Sequence, residues 1–380
     1  MSKYLSRRLA NLEPYTPGEQ PQDQQYIKLN TNESPYPPSP WVTEAVSAEA
    51  VGRLRLYSDP TCQKLLQAIA VRYGLRPGQI MAGNGSDENL FFALRAFCDE
   101  GRPLAYPDVT YGCYQVWASL LHIPGHVIPL EPDFSLDPKK YYGLNETIVI
   151  ANPNAPTGLA LHRAEIEKIV ASNAGSVVIV DEAYVDFGAE SCVPLIGTYK
   201  NLLVVQTFSK SRSLAGARLG FAMGDEALIA DLNRVKFSLN PYNVNSLTLL
   251  AGTAAMQDSD YFRRCCTAIQ TTRAETIAAL TELGFTVLPS QANFVFARTD
   301  AMPGGELYRR LKEKGVLVRH FESPRIADWL RITIGTPEQM QALTGAIREI
   351  LGLAPPARPD EEKKSLLERI RARGEQKTEE

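Results

Sequence analysis

Apolar positions along the chain fall into two kinds of run, and the change from one to the other divides the sequence. Three runs read as strands: 147–152 (TIVIAN), 176–184 (SVVIVDEAY) and 201–210 (NLLVVQTFSK). Each is almost continuously apolar, as strands buried on both faces are. The intervals between them leave room for helices, which predicts a parallel sheet covered on both sides. Upstream, 61–72 (TCQKLLQAIAVR) has helical spacing, 79–82 reads as a short strand, and Ser86 opens another helix through DENLFFALRAF. After Ser259 a long helical run (YFRRCCTAIQTTRAETIAALTELG) leads into short strands NFVFAR, VLVRHF and LRITIG, with a helix between the first two. That order predicts a smaller α+β unit.

The N-terminal segment fits neither pattern. Residues 30–40 (NTNESPYPPSP) carry too many prolines for helix or regular strand, so the segment is expected to cross a surface as an ordered arm. The expected organisation is an arm at 1–33 belonging to the small domain, a large domain at 34–258, a small domain at 259–356 and a charged tail at 357–380. The tail carries seven acidic and seven basic side chains from Arg358 onward, reads as a solvated helix or frayed end, and is given no chemistry.

Composition narrows the function classes. A formal net charge of −3 with no basic block offers no electrostatic footprint for nucleic acid or an anionic membrane. No run approaches the roughly 20 apolar residues of a membrane span, and the start (MSKYLSRRLANLEPY) lacks the apolar core of a secretion signal. A cytoplasmic protein acting on small molecules is expected. Six cysteines without a CxxC pair, and four histidines without ligand spacing, argue against a metal site or a disulfide framework.

The candidate chemistry sits at the carboxyl ends of the predicted strands, where open α/β sheets bind ligands. Lys210 directly follows a buried strand, a place where a lysine needs a charged partner or a shifted pKa, and shifted lysines form Schiff bases. Asp181 ends the preceding strand at the same edge, where its carboxylate could pair with a protonated pyridine nitrogen. The turn Gly83-Asn84-Gly85-Ser86-Asp87 leads from strand to helix, so the N–H groups of Ser86 and Asp87 form a seat for phosphate. It matches neither a dinucleotide fingerprint nor a Walker loop, against NAD and ATP. Ser209 and Arg218 flank Lys210 with a hydroxyl and a guanidinium for the same phosphate. Tyr111 could stack on a flat heteroaromatic ring. Arg331, inside the apolar strand WLRITI, needs either an internal carboxylate or a substrate carboxylate. Each residue alone also has an ordinary reading: a surface lysine, a capping aspartate, a plain capped turn, a half-buried tyrosine, an internal ion pair.

Taken together, GNGSDE, NPNAPTG, VDEAYVDF, TFSKSRSLAGARLGF and WLRITIGT resemble the fold-type I pyridoxal-phosphate aminotransferases, and more narrowly the histidinol-phosphate aminotransferase family, over about residues 10 to 352. The resemblance implies a large, mainly parallel-sheet α/β domain with a smaller α+β domain, and pyridoxal 5′-phosphate held on Lys210 as an internal aldimine. It implies that Asp181 pairs with the pyridine nitrogen and that Tyr184 bonds the ring 3′-oxygen. Gly85, Ser86, Asp87, Ser209 and Arg218 would hold the phosphate, Tyr111 would stack on the ring, and Arg331 would bind a carboxylate. Tyr15 and Asn32 would contact substrate from the arm. Tyr57 would reach the phosphate of a partner subunit, so a homodimer is implied. Where relatives carry Asn before Pro156-Thr157-Gly158 this chain has Ala155, and Asn154 is the expected substitute. The implied reaction is ping-pong, from L-histidinol phosphate and 2-oxoglutarate to imidazole-acetol phosphate and L-glutamate, a step of histidine synthesis. Arg331 would then serve glutamate in one half-reaction and the substrate phosphate in the other. Alternatives are an aromatic amino acid aminotransferase, a threonine-phosphate decarboxylase on the same scaffold, or a regulatory protein that kept the fold.

Overall fold

The computed structural model describes residues 4–354; the predicted tail at 357–380 lies outside them. Seven strands form the main sheet in the order Ile80–Gly83, Gly220–Gly224, Leu202–Thr207, Val178–Asp181, Thr147–Ala151, Leu104–Pro107, Gly125–Ile128. Gly220–Gly224 runs antiparallel to both neighbours, and the remaining pairs are parallel.

The continuous apolar runs have a direct structural cause. Alternate residues of the central strands feed two separate cores. Ile148, Ile150, Val178, Val180, Leu202 and Val204 pack with Leu65, Ile69, Ile166 and Ile169 on one face. Val149, Ile179, Leu203 and Val205 pack with Leu90, Phe92 and Tyr114 on the other. With helices on both faces, neither set of side chains can be polar.

Register then fixes where the chemistry falls. Gly83 and Thr207 both pair with Gly220, Asp181 pairs with Val205, and Ala151 pairs with Asp181. The segments following Ile80–Gly83, Leu202–Thr207 and Val178–Asp181 therefore leave the sheet at one edge.

A second, antiparallel sheet has the order Arg319–His320, Leu330–Thr333, Phe294–Thr299, Phe285–Val287. Helices Ser259–Glu282, Gly304–Glu313 and Pro337–Ile350 cover it, burying Ile269, Leu280, Leu307, Leu311, Leu343 and Ile347 against Val295 and Ile332. The sequence suggests one strand over 316–321; the structure divides it. Val316–Leu317 pairs in parallel with Ile27–Lys28, and Arg319–His320 joins the four-stranded sheet. The two-residue strand at 27–28 is too short to leave a periodic signal. It lays the arm against the small sheet, where Thr333 Oγ1 accepts the Asn32 backbone N–H at 2.9 Å. Among the described residues no helix is long and apolar enough to cross a membrane, and all six cysteines are free and buried.

Candidate active site

A cavity of about 460 Å³ opens at the strand-end edge, between the main sheet and the small one. That is ordinary for a small-molecule site. Asp181, Thr207 and Lys210 line it from the main sheet, Ser86 and Asp87 from a helix start, Arg319 and Arg331 from the small sheet, and Tyr15, Asn30 and Asn32 from the arm.

Lys210 Nζ donates to the Thr31 carbonyl at 3.1 Å and has no carboxylate within ion-pair distance among the described residues. Burial, and then the charge of Arg331, lower its pKa from 10.5 to about 8. The loop is tied on both sides of the lysine. Ser209 Oγ accepts from Thr207 Oγ1 at 2.9 Å, and Ser211 Oγ donates to Asp186 at 2.5 Å.

Asp181 is buried and likewise lacks a cation. Its oxygens accept from Tyr114 OH at 2.6 Å and from the Ala183 N–H at 3.1 Å. Desolvation outweighs these bonds and raises its pKa from 3.8 to about 6. Three residues on, the Tyr184 hydroxyl accepts from Asn32 Nδ2 at 2.9 Å, which leaves its own proton free for another acceptor.

The helix Gly85–Phe97 begins without a side-chain cap on its N-terminus, so its first N–H groups remain available beside the cavity. Gly85 has φ +82°, and a Cβ on it would meet Arg218 at 2.7 Å. At Gly220 a Cβ would lie 2.3 Å from the Ser86 nitrogen; glycine there lets the turn lie directly on the neighbouring strand. Asp87 holds Arg218 at 3.0 Å through one oxygen and accepts from Tyr111 OH at 3.0 Å through the other.

Arg331 resolves the choice posed by its sequence. Among the described residues it has no carboxylate partner: one nitrogen donates to the Asn30 carbonyl at 3.0 Å, and its Nε is buried without a hydrogen bond. Burial lowers the pKa of Arg331, and the charge of Arg319, which pairs directly across from it in the small sheet, adds to that in lesser measure. Like charges at opposed positions are destabilising unless an anion joins them.

The family model for class I and II aminotransferases matches residues 24–347. A histidinol-phosphate aminotransferase of Marinomonas sp. (strain MWYL1) is 50% identical over 92% of this chain and 100% of its own length. The chain belongs to the histidinol-phosphate aminotransferase family. Among solved structures, the histidinol-phosphate aminotransferase from Sinorhizobium meliloti in complex with pyridoxal-5′-phosphate has the same fold. It superposes with a TM-score of 0.83 at 23% identity, over 92% of this chain and 98% of that one. The L-threonine-O-3-phosphate decarboxylase from Porphyromonas gingivalis shares the fold too, with a TM-score of 0.74 at 22% identity over 86% and 99%.

In this family member Lys210, Asp181, Tyr184, Ser86, Asp87, Tyr111, Ser209, Arg218, Arg331, Tyr15 and Asn32 all line one cavity. Gly85 does not line the cavity itself but lies directly against Arg218, which does. Asn154 does not join them, which corrects the expectation placed on it. Its amide donates to the Val109 carbonyl at 2.9 Å and to Thr157 at 3.1 Å, and its oxygen accepts from Thr110 at 2.8 Å. The cavity is lined instead by Ala155, so no side-chain amide reaches it from this loop. Tyr57 lies elsewhere, 84% exposed and stacked on Tyr242 at 4.6 Å. Residues missed in the sequence are Arg319, Asn30, Glu33 and Tyr114. Only Arg319 carried a signal, as a second arginine inside an apolar run (VLVRHF).

Proposed function

We propose that this chain is a pyridoxal-phosphate-dependent histidinol-phosphate aminotransferase, passing the amino group of L-histidinol phosphate to 2-oxoglutarate. One observation carries the reading: at a single sheet edge, a lysine with a lowered pKa and no counter-ion stands with a buried aspartate that also lacks one. Each is incomplete alone. A ligand that brings an aldehyde, a protonated ring nitrogen and a phosphate suits this edge, with the uncapped helix start and Arg218 available for the phosphate.

Bound through its aldehyde to Lys210, the cofactor supplies an electron sink for the charge left when a substrate carbon loses its proton. Asp181, ionised against a cationic ring nitrogen, would keep that sink strong, and Tyr184, fixed by Asn32, would donate its proton to the ring oxygen. Ser86, Asp87, Ser209 and Arg218 would hold the phosphate, and Tyr111 would pack on the ring. Lys210 Nζ, freed when the substrate amine takes its place on the aldehyde and with its pKa lowered to about 8, would take the proton from the amino-bearing carbon and return one to complete the transfer. Arg331 and Arg319 bind the anionic end of each substrate. Phosphate and carboxylate both present paired oxygens to a guanidinium, so one arginine pair serves both half-reactions.

The protein is proposed to act in the cytoplasm as a homodimer. Tyr57, Leu54, Leu56 and Val51 are all exposed within one short stretch of chain, apolar surface suited to a second copy that would bring Tyr57 to its neighbour's phosphate.

The test is the visible absorbance band of the lysine-bound cofactor, followed as L-histidinol phosphate, L-glutamate and L-threonine phosphate are added singly. Loss of the band with each of the first two supports the reading. Reaction with threonine phosphate alone, with release of carbon dioxide, replaces it with the decarboxylase. Absence of the band after cofactor is supplied removes Lys210 from its role.

A further inference from the structure

The cavity has an acceptor wall that the transfer chemistry leaves unused. Glu33 lines it beside Asn30 and Thr31. Its carboxylate is partly exposed and ionised: Lys28 lies 2.7 Å from one oxygen and 2.8 Å from the other, and Thr31 Oγ1 donates at 2.9 Å. Burial opposes ionisation, and the bonds from Lys28 and Thr31 outweigh it, holding the carboxyl below its ordinary range. A carboxylate offers about four lone-pair positions, so these contacts leave room for one more donor. Asn30 borders the same wall, but its Oδ1 is enclosed and accepts no hydrogen bond, and its amide nitrogen is fixed on the Glu19 carbonyl at 2.8 Å.

This wall adjoins the reacting amine. The Thr31 carbonyl holds Lys210 Nζ at 3.1 Å, and Glu33 and Lys210 feel each other's charge. Of the other two carboxylates lining the cavity, Asp181 is buried at its floor and Asp87 is engaged by Arg218. With the arginine pair taking the anionic end of a substrate, the group attached near its reacting carbon lies against Glu33 and Asn30.

We propose that Glu33 is the specificity-determining group that recognises a ring N–H donor of the amino substrate, the imidazole of histidinol phosphate. The inference rests on the function proposed above. A phenyl ring has no hydrogen to give this carboxylate. Sites built around a hydrogen bond discriminate strongly against analogues that lack it.

The experiment compares kcat/KM for the L-histidinol phosphate half-reaction with that for L-glutamate in the holoenzyme, for wild type, Glu33→Gln, Asn30→Ala and Lys28→Gln. The ratio does not depend on the fraction of protein that folds. It is expected to fall roughly 10- to 100-fold in Glu33→Gln, as for loss of a hydrogen bond to a charged group, and less in Asn30→Ala and in Lys28→Gln, which keeps the carboxylate but removes its anchor. A second readout without turnover uses the Lys210→Ala background loaded with cofactor. There Glu33→Gln should weaken L-histidinol phosphate in spectral titrations and leave the dissociation constant of L-phenylalanine within about twofold. If Glu33→Gln lowers both half-reactions equally, Glu33 only anchors the arm and the inference fails. If wild type does not react with L-histidinol phosphate at all, it is the parent reading that fails.

Discussion

Asp181 and Glu182 are adjacent carboxylic acids at the end of one strand, both buried, and the pleat sends them to opposite sides of the sheet. Asp181 faces the cavity with two donors and no cation. Glu182 faces the body of the protein, where Ser191 Oγ at 2.7 Å, the Cys192 N–H at 2.5 Å and Gln206 Nε2 at 2.8 Å all donate to it. Gln206 in turn accepts from Tyr73 OH at 2.5 Å. Desolvation raises both acids, Asp181 to about 6 and Glu182 to about 7. A perturbed pKa by itself therefore does not mark the functional residue. What separates the two is that Asp181 borders open space and Glu182 is enclosed by donors.

The sharpest way to break this contrast is to remove each charge and keep the shape. Asp181→Asn cannot hold a cationic ring nitrogen, and transfer in either half-reaction is expected to slow by about 10²- to 10³-fold. Glu182→Gln should change the same rates by less than about threefold, since it touches no reacting group. Stopped-flow half-reactions on both variants test this, and a comparable loss in Glu182→Gln would end the distinction. Next in size is stability. Glu182→Ala strands three buried donors and should cost about 2–4 kcal/mol in urea unfolding.

The sequence made the main-sheet edge readable because its strands are long, continuously apolar and followed at once by polar residues. Lys210, Asp181 and Ser86 need only the strand count to be placed together. Asn154 was misread because adjacency to Pro156-Thr157-Gly158 does not tell which way an amide turns; the amide bonds neighbouring loop groups and Ala155 faces the cavity. Asn30 and Glu33 reach the site behind a two-residue strand that pairs with a segment about three hundred positions away, and Arg319 reaches it through its register with Arg331 on the neighbouring strand. No local pattern reports those. The position of Glu182 was equally hidden, because nothing in VDEAY says which acid has donors waiting.

Proton linkage sharpens the comparison further. Without cofactor, Asp181 keeps its proton in the folded protein up to about pH 6 but loses it near 3.8 when unfolded. The corresponding limits for Glu182 are about 7 and 4.5. In both cases the folded state binds more protons across the window, so stability is fullest at its acid end and falls as pH rises through it. The loss should be on the order of 1–3 kcal/mol per group. Glu182→Gln should flatten the part between pH 4.5 and 7, with or without cofactor. Cofactor loading should flatten only the part due to Asp181, because a cationic partner brings that carboxyl back down. Denaturant titrations at several pH values, on apo and loaded protein, read this directly. If loading erases the Glu182 contribution instead, the two acids have been assigned to the wrong faces.

The smallest expected effect is at Tyr114, whose hydroxyl is the nearest restraint on Asp181. Its hydrogen bond lowers the Asp181 pKa against desolvation. Tyr114→Phe should therefore raise that pKa further and weaken ionisation of Asp181 before a cation arrives. Only one neutral donor is lost and the cavity-facing oxygen remains, so cofactor affinity should drop by several-fold, about 1 kcal/mol. The drop should be larger at pH 6 than at pH 8, since at the higher pH Asp181 is ionised even without the tyrosine. Equal losses at both pH values would mean that Tyr114 supports the ring by packing alone.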